Sequence, residues 1–358
     1  MRSMSFCELI CSGIQGDTWF DQALRQAKKG LGFTHPNPPV GCVIVKNNQL
    51  IGAGYHAKAG ESHAEPKALQ IAGEAAQGAT LYVTLEPCNH FGRTPPCTQA
   101  IIKAGIKRVV YGALDPNPKV SGHGNEVLRK AGIEVEKISH PYAQALIQPF
   151  TKLITQKKPY VLAKIAASLD GKIALRPGEQ TKITGPKVGR LVHQMREACD
   201  AIVVGSETVL VDNPQLTARF EDRESARQPI RIILDSRLRT DPSYQAYAQD
   251  GVSSYVVHAP KASEEKIKAF EQAGVLCIEA EKSELLEKLA ALGFTSIFLE
   301  GGGLVLSSFL KQGWIDELAW FTAPIILGNQ GVPAISDLNH SIKLVGTDFL
   351  TLSSCQAA

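Results

Sequence analysis

At 358 residues the chain is long enough for two domains of ordinary size, each able to bury its own core. Thirty-eight basic and 35 acidic residues leave a formal charge of only +3, with no run of like charges and no basic patch interleaved with aromatics, which argues against a nucleic-acid partner. No uninterrupted apolar stretch is long enough to span a bilayer, and the Phe6-to-Ile14 run is broken by Glu8 and lacks a signal-peptide cleavage site, so a soluble cytoplasmic protein without a membrane partner is expected.

Residues 1–16 read as an N-terminal extension. From Asp17 to Lys29, Phe20, Ala23, Leu24 and Ala27 form a helical stripe that Gly30 ends. Two strand-like runs, Val40 to Val45 and Ile51 to Tyr55, flank the polar turn Lys46-Asn47-Asn48-Gln49 and predict a hairpin, followed by a helix carrying His63 and Glu65. Ala79 to Leu85 and Arg108 to Ala113 read as strands, and Cys97 to Ala104 and Asn125 to Lys130 as helices. This alternation predicts an α/β sandwich over 17–156, with both metal-bearing helices abutting one end of its sheet.

A helical connector is expected between Glu136 and Pro159, and the second domain is taken as 157–358, restarting at Lys157-Lys158-Pro159 as an extended segment. Tyr160 to Ala167, Ala201 to Gly205, Ile230 to Asp235, Ser254 to His258, Val275 to Ile278 and Ser296 to Glu300 are short β-rich runs separated by helical or polar stretches. They predict a second α/β domain. The Lys/Glu/Ala/Leu-rich stretch from Glu264 to Leu292 reads as solvated helix faces.

The chemistry of the first half is concentrated in His63-Ala64-Glu65, Pro87-Cys88 and Cys97. One imidazole and two thiolates suit a tetrahedral zinc ion with its fourth position open to water, which ionises near neutral pH when zinc-bound. Glu65, two residues beyond His63, suits a general acid/base that does not bind the metal. This order of residues is the signature of zinc nucleobase deaminases, except that eight residues, Asn89 to Pro96, separate the cysteines in place of two.

Thr94-Pro95-Pro96-Cys97 reads as a helix start with Thr94 as the N-cap, so that the Cys97 thiolate gains from the positive helix end. Arg93, in the preceding loop, is placed to meet a phosphate, and His90 beside it is expected to be solvated. Cys7, Cys11, Cys42, Cys199, Cys277 and Cys355 show no second metal pattern. Eight cysteines in this length are not a disulfide scaffold, and thiolate ligands suit a reducing compartment.

In the second half, Glu300-Gly301-Gly302-Gly303 ends a strand and opens the helical Leu304-Val305-Leu306-Ser307, where backbone amides can approach a phosphate or merely form a tight turn. Thr208, Asp212, Asn213, Pro214, Leu216, Thr217 and Arg219 make a polar loop after the Ala201-to-Gly205 strand, where α/β proteins place ligands. Arg196 and Arg219 are candidates for phosphate contacts.

His35-Pro36-Asn37-Pro38-Pro39-Val40-Gly41, Gly60-Glu61-Ser62-His63-Ala64-Glu65, Thr84-Leu85-Glu86-Pro87-Cys88 and Gly92-Arg93-Thr94-Pro95-Pro96-Cys97 resemble the bacterial bifunctional riboflavin-biosynthesis deaminase/reductase family. The resemblance continues through Ala167-Ser168-Leu169-Asp170-Gly171-Lys172, Val209-Leu210-Val211-Asp212-Asn213-Pro214, Ile233-Leu234-Asp235-Ser236 and Glu300-Gly301-Gly302. It implies an N-terminal cytidine-deaminase-like α/β/α sandwich and a C-terminal dihydrofolate-reductase-like α/β domain. It also implies hydrolytic deamination of a phosphoribosylamino-pyrimidine, then reduction of the ribosyl group to a ribityl chain by NADPH.

By the same resemblance, His63, Cys88 and Cys97 would hold one Zn2+, and Glu65 would shuttle protons. Cofactor contacts would be Ala166, Lys182, Thr184, Thr208, Asp212, Ser236, Gly302, Gly303, Leu304, Val305, Leu306, Ser307 and Ser308. Gln180, Arg196, Leu216, Arg219 and Glu300 would face the phosphorylated substrate. Lys182 stands where the family often has an aromatic and Gln180 where it often has Ser, and Lys182 is expected to point to solvent. Lys164 and Asp170 are given no catalytic role, and a homo-oligomer is expected.

Three other readings compete, one of them a working deaminase joined to a decayed reductase, which the Lys182 departure motivates. A nucleic-acid base deaminase would need a positive channel for a flipped base, which the near-neutral charge disfavours. A structural zinc knot on a nucleotide-sensing domain would have no use for the unligated Glu65.

Overall fold

The structure is a computed structural model that describes residues 5–11, 13–14, 16–91, 95–118, 121–225 and 227–335. The chain divides into two compact units, Met1–Lys158 and Pro159–Ala358. Among the described residues, no helix is long and apolar enough to cross a membrane.

The first unit begins with helices α1 (Phe6–Cys11) and α2 (Trp19–Lys28), then strands β1 (Gly41–Lys46) and β2 (Gln49–Tyr55). There follow α3 (Ala64–Ala72), β3 (Thr80–Leu85), α4 (Cys97–Lys103), β4 (Arg108–Ala113), α5 (His123–Lys130), β5 (Glu134–Lys137) and α6 (Pro141–Gln156). The sheet order is β2-β1-β3-β4-β5. It is antiparallel from β2 to β3 and parallel from β3 to β5.

Asn47 and Asn48 make the hairpin turn at φ 51° and 57°, a left-handed pair that asparagine tolerates. Thr18 and Asp21 start α2 with a capping box. Alternation along β1 assigns its two faces. Cys42 and Ile44 pack with Ala64, Ala68, Ile101 and Leu128 of α3, α4 and α5, whereas Val43 and Val45 pack with Ala23 of α2. The unit is thus an α/β/α sandwich.

Residues 6–11 pack within the first unit. Phe6 and Leu9 are buried, α1 packs on α6, and Lys28 Nζ donates to the carbonyls of Leu9 and Ile10 at 2.8 and 3.1 Å, closing the end of α1. Glu8 interrupts the apolar run in sequence while leaving an apolar helix face intact. The helix expected between Glu136 and Pro159 is α6, and just before it lies β5, whose pattern Glu-Val-Glu-Lys is too short and polar to register as a strand.

The second unit comprises β6 (Tyr160–Ser168), β7 (Lys172–Ala174), α7 (Pro186–Ala198), β8 (Ala201–Gly205), α8 (Ser206–Asp212), β9 (Ile230–Leu234) and β10 (Ser254–His258). It continues with α9 (Glu264–Gln272), β11 (Leu276–Glu279), α10 (Leu285–Ala291), β12 (Ser296–Leu299), α11 (Gly303–Lys311), β13 (Glu317–Ala323) and β14 (Val332–Pro333). Seven strands run in the order β11-β10-β9-β8-β12-β6-β13, every pairing parallel. β7 and β14 form a separate antiparallel pair.

Central strands such as Ala-Ile-Val-Val-Gly in β8 and Ser-Ile-Phe-Leu in β12 are buried throughout, as a parallel sheet covered on both faces requires. Parallel pairing also aligns the carboxyl ends of β6, β8, β9 and β12 along one edge, where open sheets take ligands. In the charged stretch after Glu264, α9 is solvated and buries only Phe270, while α10 turns Leu285, Leu286 and Leu289 inward.

Candidate active sites

Three elements bring the metal-ligand candidates together. His63 is the N-cap of α3, Cys88 lies in the loop after β3, and Cys97 is the first residue of α4. His63 Nδ1 is 3.2 Å from Cys97 Sγ and 3.6 Å from Cys88 Sγ, and all three donor atoms lie within 4.8 Å of one another. Tetrahedral zinc with ordinary bond lengths separates nitrogen from sulfur by roughly 3.6 Å, so the donor set fits the ion in both chemistry and spacing. It is the one cluster of this kind among the described residues.

Of the two cysteines, Cys88 carries the more acidic thiol. Hydrogen bonds from Cys97, then from His63, lower its thiol to about 4 against the cost of burial, while the same bond with Cys88, with burial, raises the Cys97 thiol. The Cys97 backbone amide also points at Cys88 Sγ, at 3.4 Å. The first amide of α4 therefore serves the Cys88 sulfur. Pro96 is the N-cap of α4, without a side-chain cap bond; Arg93 and Thr94 lie outside the described residues.

Glu65 occupies the first turn of α3 and is buried. Burial, then the Cys88 charge, push its carboxyl up to about 7. It borders a cavity of about 440 Å³ together with His63, Cys88, Asn37, His56, Asp115 and Asn117, and His90 also lies on the wall. His56 Nε2 is 3.1 Å from the Asn37 amide nitrogen and its Nδ1 is 3.4 Å from the Ser62 carbonyl. Those partners require a neutral ring with the proton on Nδ1. Burial and the neighbouring His63 lower the His56 pKa in keeping with that state.

Glu86, also on the cavity wall, was not singled out from sequence. Its oxygens accept the backbone amides of Gly122 at 3.0 Å and Asn125 at 3.4 Å, tying the start of α5 to the Cys88 loop. Only its place in Thr84-Leu85-Glu86-Pro87-Cys88, immediately before a ligand loop, could have marked it.

In the second unit Glu300, at the end of β12, receives Arg196 Nε at 2.9 Å and faces Lys164 Nζ at 3.6 Å. Burial raises the Glu300 pKa, but Arg196 and Lys164 outweigh it and hold the carboxylate ionised. Arg196 also donates to the Thr217 carbonyl at 2.9 Å, and the Arg219 amide donates to His193 Nδ1 at 3.2 Å. Arg219 remains exposed, whereas Leu216 is buried at φ 57°, so its side chain packs inside the loop and any ligand contact falls to its backbone.

Ala166 lies near the end of β6, Thr208 and Asp212 on α8 after β8, Ser236 after β9, and Gly302 to Ser308 at the start of α11 after β12. Leu306 and Ser307 are buried, the former in the hydrophobic core, so what this segment offers a phosphate is backbone amides rather than all its side chains. Gly302 has open space where a Cβ would stand. A phosphate thus has room at the N-terminus of this nine-residue helix. Gln180 and Lys182 are exposed between β7 and α7, and Thr184 is half-buried beside them. Asp170 sits in a turn where it accepts the amides of Leu327 and Gly328 at 3.0 and 2.7 Å, a structural role.

The family model for the cytidine and deoxycytidylate deaminase zinc-binding region matches residues 15–113, and that for the RibD C-terminal domain matches residues 159–354. The riboflavin biosynthesis protein RibD of Aquifex aeolicus is 45% identical over 329 residues, 90% of this chain and 91% of that protein. Its counterpart in Escherichia coli is 40% identical over 332 residues, 88% of this chain and 89% of that protein. Among solved structures, Acinetobacter baumannii RibD superposes with a TM-score of 0.81 at 39% identity, covering 95% of this chain and 92% of that one. The Thermotoga maritima diaminohydroxyphosphoribosylaminopyrimidine deaminase/5-amino-6-(5-phosphoribosylamino)uracil reductase gives 0.80 at 36% identity, covering 94% of each chain.

Proposed function

The chain belongs to the RibD family of bifunctional deaminase/reductases of riboflavin biosynthesis, and from that premise we propose how its residues divide the two reactions. The first unit deaminates diaminohydroxyphosphoribosylaminopyrimidine. The second reduces the ribosyl chain of the resulting 5-amino-6-(5-phosphoribosylamino)uracil with NADPH. The observation that carries this reading is the meeting of His63, Cys88 and Cys97 around one point, with buried Glu65 on the same cavity.

His63, Cys88 and Cys97 hold zinc, which when bound supplies a Lewis acid able to ionise water near neutral pH. Glu65 holds a proton at its carboxylate and passes it toward the departing amino group, which leaves as ammonia. Asn37, Asp115 and Asn117 present hydrogen-bonding groups to the pyrimidine edge from the cavity wall.

In the second unit NADPH supplies the hydride, and the protein supplies binding and orientation. The amides of the Gly302-to-Ser308 segment take the cofactor diphosphate, with Ala166, Lys182, Thr184, Thr208, Asp212 and Ser236 along its path. Arg196, Arg219 and Glu300, with Gln180 and the Leu216 backbone, face the substrate, the guanidinium groups toward its phosphate and the Glu300 carboxylate toward its hydrogen-bond donors.

The test uses the zinc-loaded full chain with the pyrimidine substrate, following ammonia release and NADPH oxidation together. Both signals are expected. Ammonia without NADPH oxidation would confine catalysis to the first unit, and neither signal would defeat the reading.

A further inference from the structure

The loop after β9 reads Asp235-Ser236-Arg237-Leu238-Arg239-Thr240 and leaves the carboxyl edge of the parallel sheet. In open sheets that bind dinucleotides, an acid near the adenosine ribose favours a free 2′-hydroxyl, while an arginine there accommodates a 2′-phosphate. In this chain the acid is turned away. Asp235 is 1% exposed, and its Oδ2 accepts the Thr240 amide and hydroxyl at 2.8 and 2.9 Å.

The rest of the loop is anchored as well. Leu238 is buried, and its carbonyl accepts Lys266 Nζ at 2.7 Å. The Ser236 carbonyl accepts the Ala259 amide at 3.1 Å. Arg239 donates to Ser206 Oγ at 2.8 Å and pairs with Glu207 at 3.2 Å. What remains open to a ligand is the Ser236 hydroxyl and the Arg237 guanidinium, both exposed, and Arg237 has no hydrogen-bond or ion-pair partner among the described residues.

Strand order supplies the span. β8 alone separates β9 from β12, whose end opens the glycine-rich start of α11. Two strand spacings are roughly 10 Å, a reach comparable with that from a dinucleotide's diphosphate to its adenosine ribose.

We propose that Arg237, assisted by the Ser236 hydroxyl, selects a 2′-phosphorylated dinucleotide over its unphosphorylated counterpart. The assignment rests on the reading that the second unit takes NADPH across this sheet edge. A cation with no internal partner, held on an anchored loop, meets the phosphate without first breaking an ion pair. Its side-chain bonds form only when the phosphate is present, so removing it changes discrimination more than binding of the common part.

Calorimetric titration of the full chain with NADPH, NADH, adenosine 2′,5′-bisphosphate and adenosine 5′-monophosphate provides a readout independent of turnover. The wild type is expected to prefer the 2′-phosphorylated member of each pair. Arg237→Ala is expected to lose about ten- to a hundredfold in affinity for that member, with the unphosphorylated one shifted less than about twofold. Arg237→Lys should recover part of the loss and its salt dependence.

If the wild type binds neither NADPH nor NADH, the cofactor reading fails and the assignment with it. If the wild type prefers NADPH and Arg237→Ala keeps that preference, the reading stands and the assignment is overturned. An equal loss of both dinucleotides in Arg237→Ala would also overturn it, because the loop would then be serving structure alone.

Discussion

A methyl group placed on Gly54 of β2 would lie 2.5 Å from the carbonyl oxygen of Ala64, the residue following His63. The backbone of α3 therefore rests directly on the strand, and Gly52 repeats the arrangement one step away, where a Cβ would lie 2.3 Å from the Ala68 carbonyl. Absence of a side chain at these two glycines fixes the height of the helix that presents His63 and Glu65. Gly54→Ala is expected to lift α3, destabilising the first unit by about 1 to 3 kcal/mol and weakening zinc retention. Denaturant unfolding with zinc analysis measures both, and unchanged values would contradict this account of the site's placement.

Glu86 is expected to act as a positioning residue. Glu86→Ala leaves the amides of Gly122 and Asn125 without their carboxylate and should destabilise the first unit by about 2 to 3 kcal/mol. Because α5 packs so closely that a Cβ on Gly124 would be 2.0 Å from the Pro87 carbonyl, loosening of the helix should reach Cys88 as weaker zinc binding. Glu86→Gln, which keeps an acceptor, should recover part of both, measured by unfolding and zinc titration.

The meeting of His63, Cys88 and Cys97 beside Glu65 was legible in the sequence because zinc chemistry demands particular residue types in a particular order. The strands β8, β9, β10 and β12 were legible because buried parallel strands are short apolar runs bounded by polar stretches. Other elements lacked such a signal. β5 is four residues of mixed polarity, and β7 and β14 are a brief pair whose members are far apart in sequence. β13, with Glu317-Leu318-Ala319-Trp320 at its start, follows α11 closely enough to merge with its apolar pattern. The role of Glu86 depends on amides at 122 and 125, contacts that pattern reading along the chain does not reveal.

The Arg196–Glu300 pair, 2.8 Å apart with side chains only 13% and 16% exposed, should respond strongly to loss of one partner. Arg196→Met leaves the Glu300 carboxylate with Lys164 at 3.6 Å as its remaining cation. The second unit is expected to lose about 1 to 3 kcal/mol, the cost of a lost hydrogen bond to a buried charge that Lys164 still partly compensates. Urea unfolding followed by a probe in the second unit gives the value, and a change below about 1 kcal/mol would contradict it.

His193 should make the second unit sensitive to acid. Burial, then the Arg196 and Arg219 charges, lower its pKa, and its Nδ1 must be unprotonated to accept the Arg219 amide. The unfolded state therefore takes up the proton first, so the contribution is present above the unfolded histidine value near 6.5 and is lost as pH falls through the depressed folded value. His193→Gln should flatten this part of the profile between neutral and mildly acid pH. An identical slope in wild type and variant would refute the assignment.

The most direct measurement is made on Glu65→Gln. Zinc content, ammonia release from diaminohydroxyphosphoribosylaminopyrimidine, and NADPH oxidation with 5-amino-6-(5-phosphoribosylamino)uracil are recorded on the same preparation. The account predicts stoichiometric zinc, reductase turnover at the wild-type rate and ammonia release lowered at least about a hundredfold. Wild-type ammonia release, or a loss of zinc parallel to the loss of deamination, would contradict Glu65 as the proton-transferring group of the first unit.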